Sequence, residues 1–190
     1  MTITPRIPPV EPPYAPDVDE DLRKLMPPGM PPLALFRTVA HNPRVLGRFR
    51  RGGLLDPGSI TLRERELVIL RTTARCGAEY EWGVHATFFG RAAGFSSEHL
   101  HATVHGPADA PIWSAREQVL LAICDALHAT STVDDALWAR ARAELEPAQI
   151  VEVLALAGLY HMVSFVVNAT ALPLEDAAAR FPTRQPPGGR

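Results

Sequence analysis

Residues Thr61 to Phe95 read TLRERELVILRTTARCGAEYEWGVHATFFGRAAGF, and their reading decides the fold. The spacing predicts two helices that meet at Gly77. Thr61 and Glu64 form a capping box, in which hydroxyl and carboxylate each satisfy a backbone N–H at the helix start. Helical periodicity puts Leu62, Glu66, Ile69 and Thr73 on one side of the first helix. Glu66 therefore falls inside an apolar stripe, while Arg63, Glu64 and Arg65 are expected to face water. A carboxylate in such a stripe is costly unless paired or protonated, and desolvation raises its pKa toward values useful for proton transfer. The second helix is expected from about Glu79 to Ala93, with Gly94 as its C-cap. Glu81 and His85 are four apart and share a face, with Trp82 and Phe89 beside it. A carboxylate one turn before an imidazole orients the ring and raises its pKa, which makes a general acid/base pair. The same spacing also describes an ordinary surface pair stabilised by about 0.2–0.5 kcal/mol.

RERELVILRTTARCGAEYEWGVHATFFGRAAG resembles the core motif of the carboxymuconolactone decarboxylase family, which includes the alkylhydroperoxidase-D-like peroxidases. The family pattern is a Glu, eleven residues, Cys-x-x-Cys, three residues and a His. Set on this chain, the Glu is Glu66 and the His is His85, while the two cysteine positions fall on Ala78 and Glu81. Peroxide reduction in the family uses a thiolate and a resolving thiol, and both are missing at their places. Cys76 lies two residues earlier, about 200° around a helix from the first expected thiol. The resemblance implies an all-α, alkylhydroperoxidase-D-like bundle of about seven or eight helices that assembles as trimers or hexamers. It also implies acid/base chemistry on lactones and related carbonyl compounds.

The remaining chain fits that frame. Its 190 residues suit one domain that buries roughly 70% of its unfolded surface. The expected organisation is a proline-rich arm over residues 1–32, a helical domain over 33–181 and a flexible tail over 182–190. A net charge of −2 with no basic run argues against nucleic acid as partner. Two distant cysteines, Cys76 and Cys124, make no disulfide framework and fit a reducing cytoplasm. Prolines occupy the place of an apolar signal-peptide core. Short helices are expected over Asp17–Met26, Leu33–Ala40 and from Pro43 to the Gly52-Gly53 break. Arg48, Arg50 and Arg51 form a basic group that reads as a solvated face or as a contact for an anionic substrate.

After the central pair, Ser96 or Ser97 caps a short helix. His101 and His105 have the i,i+4 spacing that can bind zinc, but no further ligand lies nearby in sequence, so solvent-facing histidines are the expectation. Ser114 with Glu117 opens another helix, and Thr132 with Asp135 the next. Pro147 starts the last long helix, IVEVLALAGLYHMVSFVVNA, which has the length of a membrane span. Glu152, His161 and Asn168 argue instead for a helix buried in the core or at a subunit interface. The shared stripe lets His161, with Tyr160, line the same cavity as Glu66 and His85, but a buried histidine bonded to a backbone carbonyl is the favoured reading of His161.

The leading expectation is a cofactor-independent enzyme acting on a small lactone, carbonyl or carboxylate compound, with no metal. In it His85 moves the proton, Glu81 orients and charges His85, and Glu66 is the second acid/base. Tyr80, Trp82 and Phe89 shape an apolar wall, and Arg71 binds a carboxylate or enolate oxygen or else forms a salt bridge. A thiol-dependent hydroperoxide reductase using Cys76 and a non-catalytic binding oligomer are the alternatives.

Overall fold

The structure, a computed structural model, describes residues 4–184. Nine helices and no strand occur among them: α1 (Pro16–Leu25), α2 (Ala34–Val39), α3 (Pro43–Gly52), α4 (Leu62–Arg75), α5 (Glu79–Phe88), α6 (Ser97–His105), α7 (Ala115–Thr130), α8 (Asp135–Glu144) and α9 (Pro147–Ala169). The all-α expectation holds, with slightly more helices than expected.

α4 is the axis of the bundle and packs on α5, α6, α7 and α9. Its capping box forms as the sequence predicts: Thr61 Oγ1 accepts from Glu64 N–H, and the Thr61 N–H donates to the Glu64 carboxylate. Leu67, Val68, Ile69 and Leu70 are fully buried. Truncating a leucine in such a place to alanine costs about 2–5 kcal/mol. Burial extends around the whole helix, which corrects the expectation for Glu64 and Arg65. Both are buried because each has a partner: Glu64 takes Arg116, and Arg65 takes Glu66.

Gly77 adopts φ +63° between α4 and α5, a left-handed conformation that only glycine enters without strain. α5 stops at Phe88 rather than Ala93. Phe89 caps the helix, its N–H still bonded to His85 O, and lays its ring on His85, with centroids 5.2 Å apart. The segment after α9 then straps α5. Ala179 N–H donates to Thr87 Oγ1 at 2.8 Å, Phe181 N–H donates to Glu79 at 2.8 Å, and the Phe181 ring sits 5.4 Å from Trp82. Gly83 is where this strap crosses, since an added Cβ would meet Ala179 O at 2.1 Å.

Residues 16–25 pack into the same body: Val18 and Leu22 of α1 are buried against α3. Pro182 O accepts from His105 Nε2, so the start of the expected tail is held to α6. The rest of that tail, residues 185–190, and residues 1–3 of the expected arm lie outside the described residues. α8 is capped by Asp134, whose carboxylate accepts from Leu137 N–H, and not by Thr132. α9 is the one helix among the described residues with the length and hydropathy of a membrane span. Eight of its residues are buried in the bundle. The other side is not: Val151 is 66% and Phe165 65% exposed.

Candidate active site

α4, α5 and α9 bring three side chains into a short buried chain. His85 Nδ1–H donates to Glu66 Oε2 at 2.7 Å. On the other side of the ring, His85 Nε2 lies 3.0 Å from Tyr160 Oη and 3.4 Å from Glu81 Oε1. Glu66 is 0% exposed, and its other oxygen accepts two bonds from Arg65, at 2.8 and 2.9 Å. The Arg65 guanidinium also covers the Phe89 ring at 5.5 Å. Glu66 is therefore a paired carboxylate that fixes the imidazole, as a carboxylate on one ring nitrogen does in many histidine sites.

Burial pulls the His85 pKa down, but the hydrogen bonds and charges of Glu66 and Glu81 outweigh it and hold the pKa up at about 9. The ring is an imidazolium at neutral pH, with Nε2–H shared between Tyr160 and Glu81. Burial, then the charges of Glu81 and Glu66, push Tyr160 well above the usual phenol range. Tyr160 thus stays a neutral hydroxyl with a proton to give.

This edge of the ring opens on a cavity of about 520 Å³. Glu81, His85 and Tyr160 line it, and Glu66 stands behind them. Glu81 Oε2 is buried with no hydrogen-bond partner among the described residues. A bare carboxylate oxygen in that position is costly unless something binds it. The walls are apolar: Leu35, Phe36, Val84, Phe88, Phe89 and Val163 line it beside Met26, Met30 and Leu33 of the joint between α1 and α2. Arg50 and Arg51 stand at its edge. Arg50 is paired with Asp21, while Arg51 has no ion pair among the described residues. A smaller hollow of about 300 Å³ holds Glu152, whose carboxylate is already taken by Ser59.

Of the residues the sequence singled out, Glu66, Glu81, His85, Phe89 and Tyr160 come together here. Five do not. Arg71 is fully buried elsewhere, with two bonds to Asp125 at 2.7 Å and others to the carbonyls of Thr103 and Gly106, so it ties α4 to α7 and the end of α6. Tyr80 donates to Glu175 at 2.6 Å and accepts from Leu35 N–H, closing the strap. Trp82 donates to Thr103 Oγ1 at 3.0 Å on the opposite face of α5. Cys76 and His161 meet each other on the other side of α9. Sequence reading missed the walls given by Leu25, Met26 and Met30. The signal was available: apolar side chains in a proline-rich joint have no helix face of their own to fill.

Residues 42–126 match the carboxymuconolactone decarboxylase family model. No curated protein matches the chain in sequence. Solved structures share the fold. An uncharacterized peroxidase-related protein from Silicibacter sp. TM1040 is 18% identical with a TM-score of 0.76, over 90% of this chain and 92% of that one. A peroxidase-related protein with an alkylhydroperoxidase AhpD core from Ralstonia eutropha JMP134 is 17% identical with a TM-score of 0.76, over 90% and 93%. The debrominase Bmp8, as a cysteine-to-alanine variant in complex with 2,3,4-tribromopyrrole, is 14% identical with a TM-score of 0.73, over 93% and 95%. The matched segment, which contains Glu66, Glu81 and His85, thus resembles the carboxymuconolactone decarboxylase family, and the fold around it is alkylhydroperoxidase-D-like.

Proposed function

We propose that the chain is an acid/base enzyme for a small lactone, carbonyl or carboxylate compound, acting by decarboxylation or isomerisation. The observation that carries this reading is the unpartnered Glu81 Oε2 beside His85 Nε2–H in an apolar cavity. Such a wall offers a base and an acid side by side. The substrate oxygen would sit against His85 Nε2–H and the Tyr160 hydroxyl, two donors aimed where negative charge develops as an enolate forms. Glu81 Oε2 would take the proton next to the carbonyl and return it to the neighbouring carbon or oxygen. In a decarboxylation the same two donors would hold the enolate left when carbon dioxide departs. Glu66 holds the ring in place and keeps it charged. His85 is then the acid of the resting enzyme, and the base is Glu81.

Arg51, at the cavity edge, takes over the role that the sequence suggested for Arg71: a cation for a substrate carboxylate. The debrominase with a tribromopyrrole in its complex places small halogenated rings in the panel to be tried. A reducing cytoplasm and homo-oligomers, trimeric or hexameric, belong to the same reading. Support for assembly is the exposed stripe Val151, Ala155, Gly158, Met162 and Phe165 along α9, with alternating four- and three-residue spacing. A hydroperoxide reductase using Cys76 is the second reading. Cys76 Sγ lies 3.7 Å from His128 Nδ1, but burial pushes the thiol pKa up, against what a reactive thiolate needs.

The test is a turnover screen of lactones, 3-oxo acids and halogenated heteroaromatic rings, run on the parent, Glu81→Gln and Cys76→Ser. Turnover lost in Glu81→Gln and kept in Cys76→Ser supports the proposal. Hydroperoxide consumption that disappears in Cys76→Ser moves the activity to the thiol. Ligand binding without turnover in the parent leaves a binding protein.

A further inference from the structure

The ends of α4 and α7 and the middle of α9 bring Cys76, His128 and His161 together. Cys76 is the residue after α4, His128 lies in the last turn of α7 and His161 lies midway along α9. Cys76 Sγ is 3.7 Å from His128 Nδ1, and His128 Nδ1 is 3.3 Å from His161 Nε2. One ligand-type atom from each of the three falls within 4.8 Å of the other two. None of the three lines the cavity.

We propose that Cys76, His128 and His161 bind a zinc-class transition-metal cation. Zinc bonds of about 2.3 Å to sulfur and 2.0–2.1 Å to nitrogen, at tetrahedral angles, put two nitrogens about 3.3 Å apart and a sulfur and a nitrogen about 3.6 Å apart. The separations found, 3.3 and 3.7 Å, are those of ligands around such an ion. His161 is set for the task by its other nitrogen. Nδ1–H donates to Ala157 O at 2.8 Å, which leaves the lone pair on Nε2, facing the cluster. A backbone carbonyl on the far nitrogen is the usual outer support of a metal-bound histidine.

Two other features favour the site. Arg75 is the fixed cation that bears on His128. Arg75 is itself paired with Asp125, which limits its repulsion toward an incoming cation. Asn168 Nδ2 donates to Cys76 O at 2.9 Å and Cys76 N–H donates to Thr72 O at 3.0 Å, so the cysteine backbone is held from both sides. On binding, the Cys76 thiol would give its proton to solvent and become the thiolate ligand. One thiolate and two imidazoles suit zinc or copper over magnesium or calcium. Three protein ligands leave a fourth position beside the exposed His128, open to water.

Cobalt(II) reports on such a site because a thiolate ligand adds a charge-transfer absorption. The reduced full-length chain, titrated with cobalt(II), is expected to bind one equivalent with that band, and zinc(II) is expected to displace it. Cys76→Ser should remove the band. His161→Gln should weaken binding by more than about 100-fold, beyond the 10- to 100-fold typical of losing an outer support. Cys124→Ser, at a buried thiol bonded to Val68 O, should bind as the parent does. Circular dichroism checks that each variant is folded. A parent that shows no charge-transfer band at millimolar cobalt(II), or a band that survives Cys76→Ser, overturns the site whatever the variants do.

Discussion

Tyr160 and His161 are neighbours on α9, yet they belong to two histidine sites of opposite character. On one side, His85 is buried between Glu66 and Glu81 and carries a proton at neutral pH. On the other, His128 and His161 stack with ring centroids 5.5 Å apart, and no carboxylate among the described residues is bonded to either ring. About 100° of helix rotation separates the two side chains of α9. The residue type is the same, and the surroundings decide the chemistry: carboxylates make one imidazole an acid, while a carbonyl and a thiol leave the others with a lone pair to donate.

The comparison breaks if the two sites do not respond separately. The largest effect is expected from His85→Ala, which should lower turnover on the true substrate by about 100- to 10,000-fold. His161→Gln should leave the same rate within about twofold, because its side chain faces away from the cavity. Steady-state kinetics on the two variants measures the contrast. Equal losses in both would mean that the sites are one.

Next in size is Glu66→Gln. Removing one member of a buried charge cluster costs on the order of 3–5 kcal/mol, since Arg65 and His85 lose their shared anion. Urea denaturation at pH 7 measures it. The same variant tests the charge of His85. Its folded pKa of about 9 lies above the unfolded value of about 6.5, so the folded state binds this proton more tightly. The stabilisation is complete below pH about 6.5 and is lost as pH rises through about 9. A catalytic step that needs the imidazolium should fail over the upper part of that window. In Glu66→Gln that limb should move to lower pH, together with the imidazole titration followed by NMR. A limb that stays near 9 would remove Glu66 from the role of holding the proton.

Arg71 marks where sequence reading reached its limit. Its position on α4 was legible, but its direction was not. Periodicity places a residue on a helix face, and α4 is buried on every face, so a buried arginine could point to the cavity or to a distant carboxylate. Asp125 lies 54 positions away, and nothing local reveals that pairing. The capping boxes, the Gly77 joint and the Glu66–His85 pair were legible because each rests on short-range spacing or on the family motif. The swap of roles between Glu66 and Glu81 was not, since it depends on which carboxylate α9 leaves facing the cavity. Arg71→Met should therefore cost about 3–5 kcal/mol of stability by leaving Asp125 with Arg75 alone and freeing three buried carbonyls. Turnover per folded molecule should hardly change. A variant with parental stability and a raised KM would return Arg71 to the substrate.

The smallest expected effect sharpens the comparison most. Tyr160→Phe keeps the aromatic packing on His85, whose ring meets the phenol ring edge-on at 5.1 Å, and removes only the hydroxyl. If that hydroxyl serves as a donor to the developing oxyanion, kcat should fall by about 3- to 10-fold, the worth of one hydrogen bond of 0.5–1.5 kcal/mol. KM should stay nearly constant, because a bond made only in the transition state is absent from the ground state. Loss of the hydroxyl also leaves Nε2–H to Glu81 alone, which draws the two partners closer and holds the imidazolium in place. The upper pH limb should therefore remain near its parental position, while in Glu66→Gln it moves. A Tyr160→Phe enzyme with full kcat would leave His85 as the sole donor and reduce α9 to a wall between the two sites.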